Sequence, residues 1–207
     1  MKWVTVSDTE GAHEAVSAVG EISVEPQRIL VIAAPKKKDR QLTFKAGVKA
    51  RWPKCVVTID TDGNFNRQET EKIVRWRLTR SLEHKAPYDI IFCTTDTMTL
   101  GCLDAIQSMQ WAGGVLAPRV IGYDGIKATK DLIVRGRTPL RRVVVQDPER
   151  MAGEAITRLL ALKDSTNKRN ELDEKSVSWI QPTLFPSSDS DVRSPEKEVD
   201  DPLAVSG

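Results

Sequence analysis

Seven short apolar runs recur along the chain, at Trp3–Val6, Ile29–Ala33, Cys55–Ile59, Asp89–Cys93, Val120–Tyr123, Val143–Val145 and Val177–Ile180. Each has the length of a strand and is bounded by turn residues or charge, as strands buried on both faces are. Between them lie longer segments, near 9–19, 40–51, 67–83, 97–110, 126–134 and 148–162, in which apolar residues return at helical intervals. Leu100, Leu103 and Ile106 recur in one of them, with Thr97 placed to cap it. Asp147-Pro148 marks another start, because Asp can cap and Pro is tolerated at the first helical position. Strand alternating with helix predicts βαβ units, right-handed crossovers and a parallel sheet covered on both faces: an α/β, doubly wound fold.

The last 22 residues break this rhythm. From Pro186 to Gly207 there are six acidic residues, two basic ones and few apolar side chains. Such a stretch cannot bury enough surface to offset the entropy of ordering, so 186–207 reads as a disordered acidic tail. The tail changes the meaning of the overall charge. The chain carries +2 formally, but residues 164–207 carry −5 and residues 1–163 carry +7. A mildly basic body with an acidic tail does not call for nucleic acid, and Lys36-Lys37-Lys38 reads as a solvated loop. At 207 residues the chain suits one α/β domain with appendages.

Cys55, Cys93 and Cys102 are odd in number and lack metal-ligand spacing, so they read as buried reduced thiols. No run approaches the roughly 18 apolar residues of a membrane helix. The first residues turn polar too early for a secretory signal, so the chain as written reads as soluble and cytoplasmic.

Candidate chemistry gathers where the strands end. Arg40 opens the helix after Ile29–Ala33, and Phe65 lies in the loop after Cys55–Ile59. Thr94-Thr95-Asp96 follows Asp89–Cys93, Asp124 follows Val120–Tyr123, and Gln146 follows Val143–Val145. In a parallel sheet these ends share one edge, where departing loops splay into a crevice. Arg40 donates, Asp124 accepts, Gln146 does both and Phe65 offers a ring face. That set suits a small polyhydroxylated ligand. Each residue has a plainer role as well: Arg40 at a helix start, Phe65 as a loop anchor, Asp96 as a cap, Asp62-Gly63 as turn chemistry. His13 and His84 stand isolated, and no Gly-rich phosphate loop occurs. Without an activated nucleophile, an acid–base pair or a metal cluster, the chain reads as non-enzymatic and without a cofactor.

The order of these motifs resembles the type I periplasmic binding protein superfamily, closest to its sugar-binding, ribose-binding-protein-like group. The resemblance rests on Ile90–Gly101 (IIFCTTDTMTLG), Val120–Gly125 (VIGYDG) and Val145–Met151 (VQDPERM) with Gly153, in that order. Upstream, Val6-Ser7-Asp8 resembles a first hinge crossing and Lys38–Phe44 resembles the Arg-bearing helix start. It implies that Arg40, Asp124 and Gln146 contact sugar hydroxyls and that Phe65 stacks on the ring. Thr95 stands where the ribose-type pattern carries Asn, which counts against ribose itself. The family serves as the substrate-binding component of sugar ABC transporters and is periplasmic. The same fold forms the effector domain of lac-repressor-type regulators, which implies as alternative a cytosolic sensing or protein-interaction module without a DNA-binding part.

The resemblance covers a carboxyl-terminal lobe only. It implies residues 1–7 as a remnant of the first lobe and hinge, and 8–185 as the sugar-binding-protein-like lobe, with helix 148–162 crossing out of it. Met151, Ile156, Leu159 and Leu160 on that helix then have no lobe to cover them, and exposed apolar stripes mark interfaces. Four readings are open: a swap onto a second copy, docking on a separate first-lobe partner, folding back over the same lobe, or a reading frame truncated upstream. A pentose or hexose should bind weakly to such a chain.

Overall fold

Ile90-Ile91-Phe92-Cys93 is buried along its whole length, as only a strand flanked by strands and covered on both faces can be. In the computed structural model, which describes residues 3–35, 38–109, 116–164 and 177–186, this strand is β4 and lies inside a six-stranded sheet. In chain order the elements are β1 (Trp3–Val6), α1 (Asp8–Ile22), β2 (Arg28–Ile32), α2 (Lys38–Arg51), β3 (Val56–Asp60), α3 (Arg67–Glu83) and β4 (Ile90–Cys93). There follow α4 (Asp96–Ser108), β5 (Arg119–Asp124), α5 (Lys127–Arg135), β6 (Leu140–Val145), α6 (Pro148–Asp164), β7 (Val177–Ile180) and β8 (Thr183–Phe185).

The large sheet runs β3-β2-β4-β5-β6-β8, parallel except for β8, which returns antiparallel along β6. Alternation divides its side chains between two cores. Ile29, Val31, Ile90, Phe92 and Tyr123 face α1 and α2, while Leu30, Ile32, Ile91, Cys93 and Val143 face α3, α4 and α5. The fold is thus α/β and doubly wound.

Local signals set the helix starts. Ser7 accepts from Glu10 N, and Asn66 accepts from Gln68 N and Glu69 N. Helix α4 starts earlier than Thr97, with Thr95 accepting from Met98 N; Thr97 lies inside the helix. Gly101 lets α4 meet α3 closely: a Cβ there would stand 2.2 Å from the Arg67 carbonyl oxygen.

A second, smaller unit stands apart from the main sheet. Strands β1 and β7 pair in parallel, Val4 beside Ser178 and Thr5 beside Trp179, and α6 packs on β1. Glu154 of α6 accepts from the Ser178 hydroxyl at 3.3 Å. All three cysteines are buried free thiols. The tail expected at 186–207 lies outside the described residues except for Pro186, as do Lys36 and Lys37. Among the described residues no helix is long and apolar enough to cross a membrane, and no cluster of His, Cys, Asp or Glu is arranged to hold a metal ion.

Candidate functional site

The strand order contains one reversal. Strand β2 feeds a crossover to β3 on one side, and β3 returns to β4 on the other, so the loops leaving β2 and β4 diverge. This switch point opens a crevice at the carboxyl edge of the sheet. Arg40 and the Thr94-Thr95-Asp96 turn flank it.

Arg40 reaches the crevice because α2 begins at Lys38, which sets its side chain back across the strand ends. Only 4% exposed, its guanidinium is held by three oxygens and a ring. Nε donates to Asp8 Oδ1 at 2.7 Å, and Nη1 donates to the Thr94 carbonyl at 2.8 Å and to Asp124 Oδ1 at 3.4 Å. Its flat face lies 3.8 Å from the centroid of the Tyr123 ring. A buried cation so surrounded has a fixed orientation, which a lysine could not share.

Asp124 owes its placement to strained backbone. It takes φ 98° and Gly125 takes φ 77°, a sharp exit from β5 that Gln146 supports by donating its N–H to the Asp124 carbonyl at 3.2 Å. Gly125 is needed there, since a Cβ would lie 2.7 Å from Val145 Cγ2. The other carboxylate oxygen of Asp124 accepts from Asp96 N at 3.3 Å.

Asp96 returns the gesture. Helix α5 has Ile126 at its N-cap, which provides no capping side chain, and Asp96 Oδ2 accepts the Ile126 N–H at 2.6 Å instead. The side chain is 2% exposed. Burial pushes its carboxyl up to about 6; the nearby Asp124 carboxylate adds to the rise, and the Ile126 N–H opposes it. Burial likewise pushes the Tyr123 hydroxyl up to about 12 against the pull of Arg40.

The structure therefore brings Arg40, Asp124 and Gln146 together, with Thr95 in the adjoining turn, its hydroxyl turned to the α4 N-terminus. Phe65 stands on the β3–α3 loop at φ 57°, exposed, and among the described residues no ring contact ties it to this cluster. Asp8 and Tyr123 belong to the cluster and were not singled out from sequence. Their signal was faint: Asp8 had only its place in the hinge-like start, and Tyr123 looked like strand interior. On α6, Met151 is half-buried, whereas Ile156, Leu159 and Leu160 are exposed. A depression of about 570 Å³ on the outer face of α3, beside Glu71, Arg75 and Trp76, lies away from this edge.

The site is thus a buried, fixed arginine flanked by two carboxylates at the switch point of a doubly wound lobe. The chain belongs to the periplasmic binding protein domain family, whose model matches residues 4–167. No curated protein sequence matches it. Among solved structures it is similar to the arabinose binding protein of Geobacillus stearothermophilus, with a TM-score of 0.73, 14% identity, and 88% of this chain against 62% of that one. It is similar to a periplasmic solute binding protein from Actinobacillus succinogenes with bound D-allose, TM-score 0.70 and 19% identity, covering 89% of this chain and 60% of the other. A myo-inositol binding protein from Caulobacter gives 0.66 and 21%, covering 88% and 59%. The chain thus spans about three-fifths of the length of these proteins.

Proposed function

We propose that this chain is a non-enzymatic binding domain for a small, neutral polyhydroxylated ligand of the pentose or hexose class, held at the carboxyl edge of the six-stranded sheet. The carrying observation is Arg40: buried, oriented by Asp8, Thr94 and Asp124, and set at the switch point. A guanidinium has five N–H donors, and Nε and Nη1 supply the contacts described, so Nη2 is the group a ligand hydroxyl would meet. Asp124 would accept from a second hydroxyl, Gln146 would do either, and Phe65 would close over the C–H face as a stacking ring. Thr95 would contribute at most a hydroxyl, since its side chain serves the α4 cap. The solved relatives named above, binders of arabinose, D-allose and myo-inositol by their descriptions, support this ligand class.

One face of contacts means weak binding. Titration of the labelled protein with L-arabinose, D-allose and myo-inositol, followed by amide chemical shifts, should show millimolar saturation centred on Thr95, Asp124 and Gln146 with at least one of them. An Arg40→Met variant should lose it. Absence of any saturable shift with all three overturns the reading, and so does micromolar affinity that survives Arg40→Met.

A second reading, an interaction module, is favoured by the exposed Ile156, Leu159 and Leu160 on α6. It does not compete for the same surface.

A further inference from the structure

Helix α6 has a mixed side that is partly covered and an apolar side that is exposed. At about 100° per residue, Met151, Glu154, Ala155 and Arg158 fall on one side of the helix, and these are the partly buried residues that turn toward β1 and β7. Ala152, Gly153, Ile156, Leu159 and Leu160 fall on the opposite side and are exposed, with Ile156 at 58%, Leu159 at 66% and Leu160 at 59%. The exposed stripe is centred on Ile156.

Its sizes are arranged about that centre. Four residues before Ile156 stands Ala152 and four after it Leu160; three before stands Gly153 and three after it Leu159. Nothing lies within 4 Å of where a Gly153 Cβ would be. Turn a second α6 antiparallel, with Ile156 against Ile156, and each small residue faces a large one. Ala152 of one helix meets Leu160 of the other, and Gly153 meets Leu159. Large side chains become knobs, and the small positions become the holes that receive them. A parallel pair would set large against large and small against small. Antiparallel pairing also places each helix N-terminus near the other's C-terminus, the favourable arrangement of their dipoles. An isologous contact of this kind closes at two copies.

We propose that the outer face of α6 is a self-association surface, and that two copies of this chain pair through it as antiparallel helices in register at Ile156. A single helix stripe is smaller than the roughly 800 Å² per partner of a standard stable interface, so the dimer should be concentration-dependent, on the order of micromolar. The proposal is independent of sugar binding.

Light scattering and sedimentation across a roughly hundredfold range of concentration give the first test. The protein should pass from monomer to dimer, and Ile156→Glu, which sets two like charges face to face, should remain monomeric with an unchanged far-UV spectrum. Register is read separately by cysteine pairing under a mild thiol oxidant such as diamide; the three native thiols are buried. Ile156→Cys should cross-link with itself. Leu160→Cys should not, yet it should cross-link when mixed with Ala152→Cys. A wild type that stays monomeric throughout overturns the proposal and leaves the face to another partner. Assemblies larger than two, a dimer that survives Ile156→Glu, or self-linking of Leu160→Cys overturn it as well.

Discussion

A single side chain, Arg40, organises the candidate site, and its partners are distant in sequence. Asp8 and Asp124, both partly open to solvent, flank its guanidinium. Arg40→Met would remove the cation that offsets the like charges of Asp8 and Asp124, and the stability lost should be on the order of 2–4 kcal/mol, read from urea midpoints at neutral pH. Asp8→Asn in the same background should restore part of it, since the residual repulsion is then removed. Asp96 gives a prediction in pH. Its carboxyl is raised from 3.8 to about 6 in the folded protein, so the fold favours the protonated form. The associated stability is fully present below pH 4 and is lost as pH rises through 6, at most about 3 kcal/mol for a two-unit rise. Asp96→Asn keeps an oxygen for the Ile126 N–H and removes the titration. The variant's stability relative to wild type should therefore improve between pH 4.5 and 7.5. Parallel curves for the two proteins over that range would show that Asp96 is not the group responsible.

At the scale of elements, the approach of α1 to β5 turns on a glycine. A Cβ at Gly11 would lie 1.8 Å from Tyr123 Oη and 2.6 Å from Cζ, so the helix can lie against the ring under Arg40 only because no side chain intervenes. Gly11→Ala should cost about 1–3 kcal/mol in urea unfolding, and addition of Tyr123→Phe should recover part of the loss by removing the nearer atom. Full additivity of the two changes would refute the contact. What could be read from sequence follows the same division between local and distant. Strands β4 and β5 are legible because continuous apolar runs bounded by turn residues are local signals. The edge that gathers Arg40, Asp124 and Gln146 is legible because parallel strands must end together. The pairing of Arg40 with Asp8, the service Asp96 gives to the start of α5, and the close approach behind Gly11 were not, since each joins residues far apart in the chain. On α6 the sequence reading joins Met151 with Ile156, Leu159 and Leu160, although 100° per residue sets Met151 opposite Leu160; the position of β1 shows which of the two sides turns inward.

The whole molecule is unequal in its support. Strands β4 and β5 have neighbours on both sides and helices on both faces, whereas β1 and β7 form a two-stranded parallel sheet joined by α6. Parallel strands are stable where both faces are covered and the sheet is wide, and this pair has neither advantage. Exposed Trp179 on β7 points to the same deficit. The small unit should therefore open on its own, below the free energy of global unfolding. Native-state hydrogen exchange at dilute protein should show the amides of Val4–Val6, Ser178–Ile180 and α6 exchanging through sub-global openings, while Ile90–Cys93 and Val120–Tyr123 exchange only with the whole fold. Raising the protein concentration separates two causes of that weakness. If pairing through α6 supplies the missing layer, protection of the small unit rises with concentration while that of β4 and β5 stays level. If protection of the small unit is independent of concentration, its support comes from within one chain, and equal protection across both units at every concentration would mean that the molecule opens as one cooperative body.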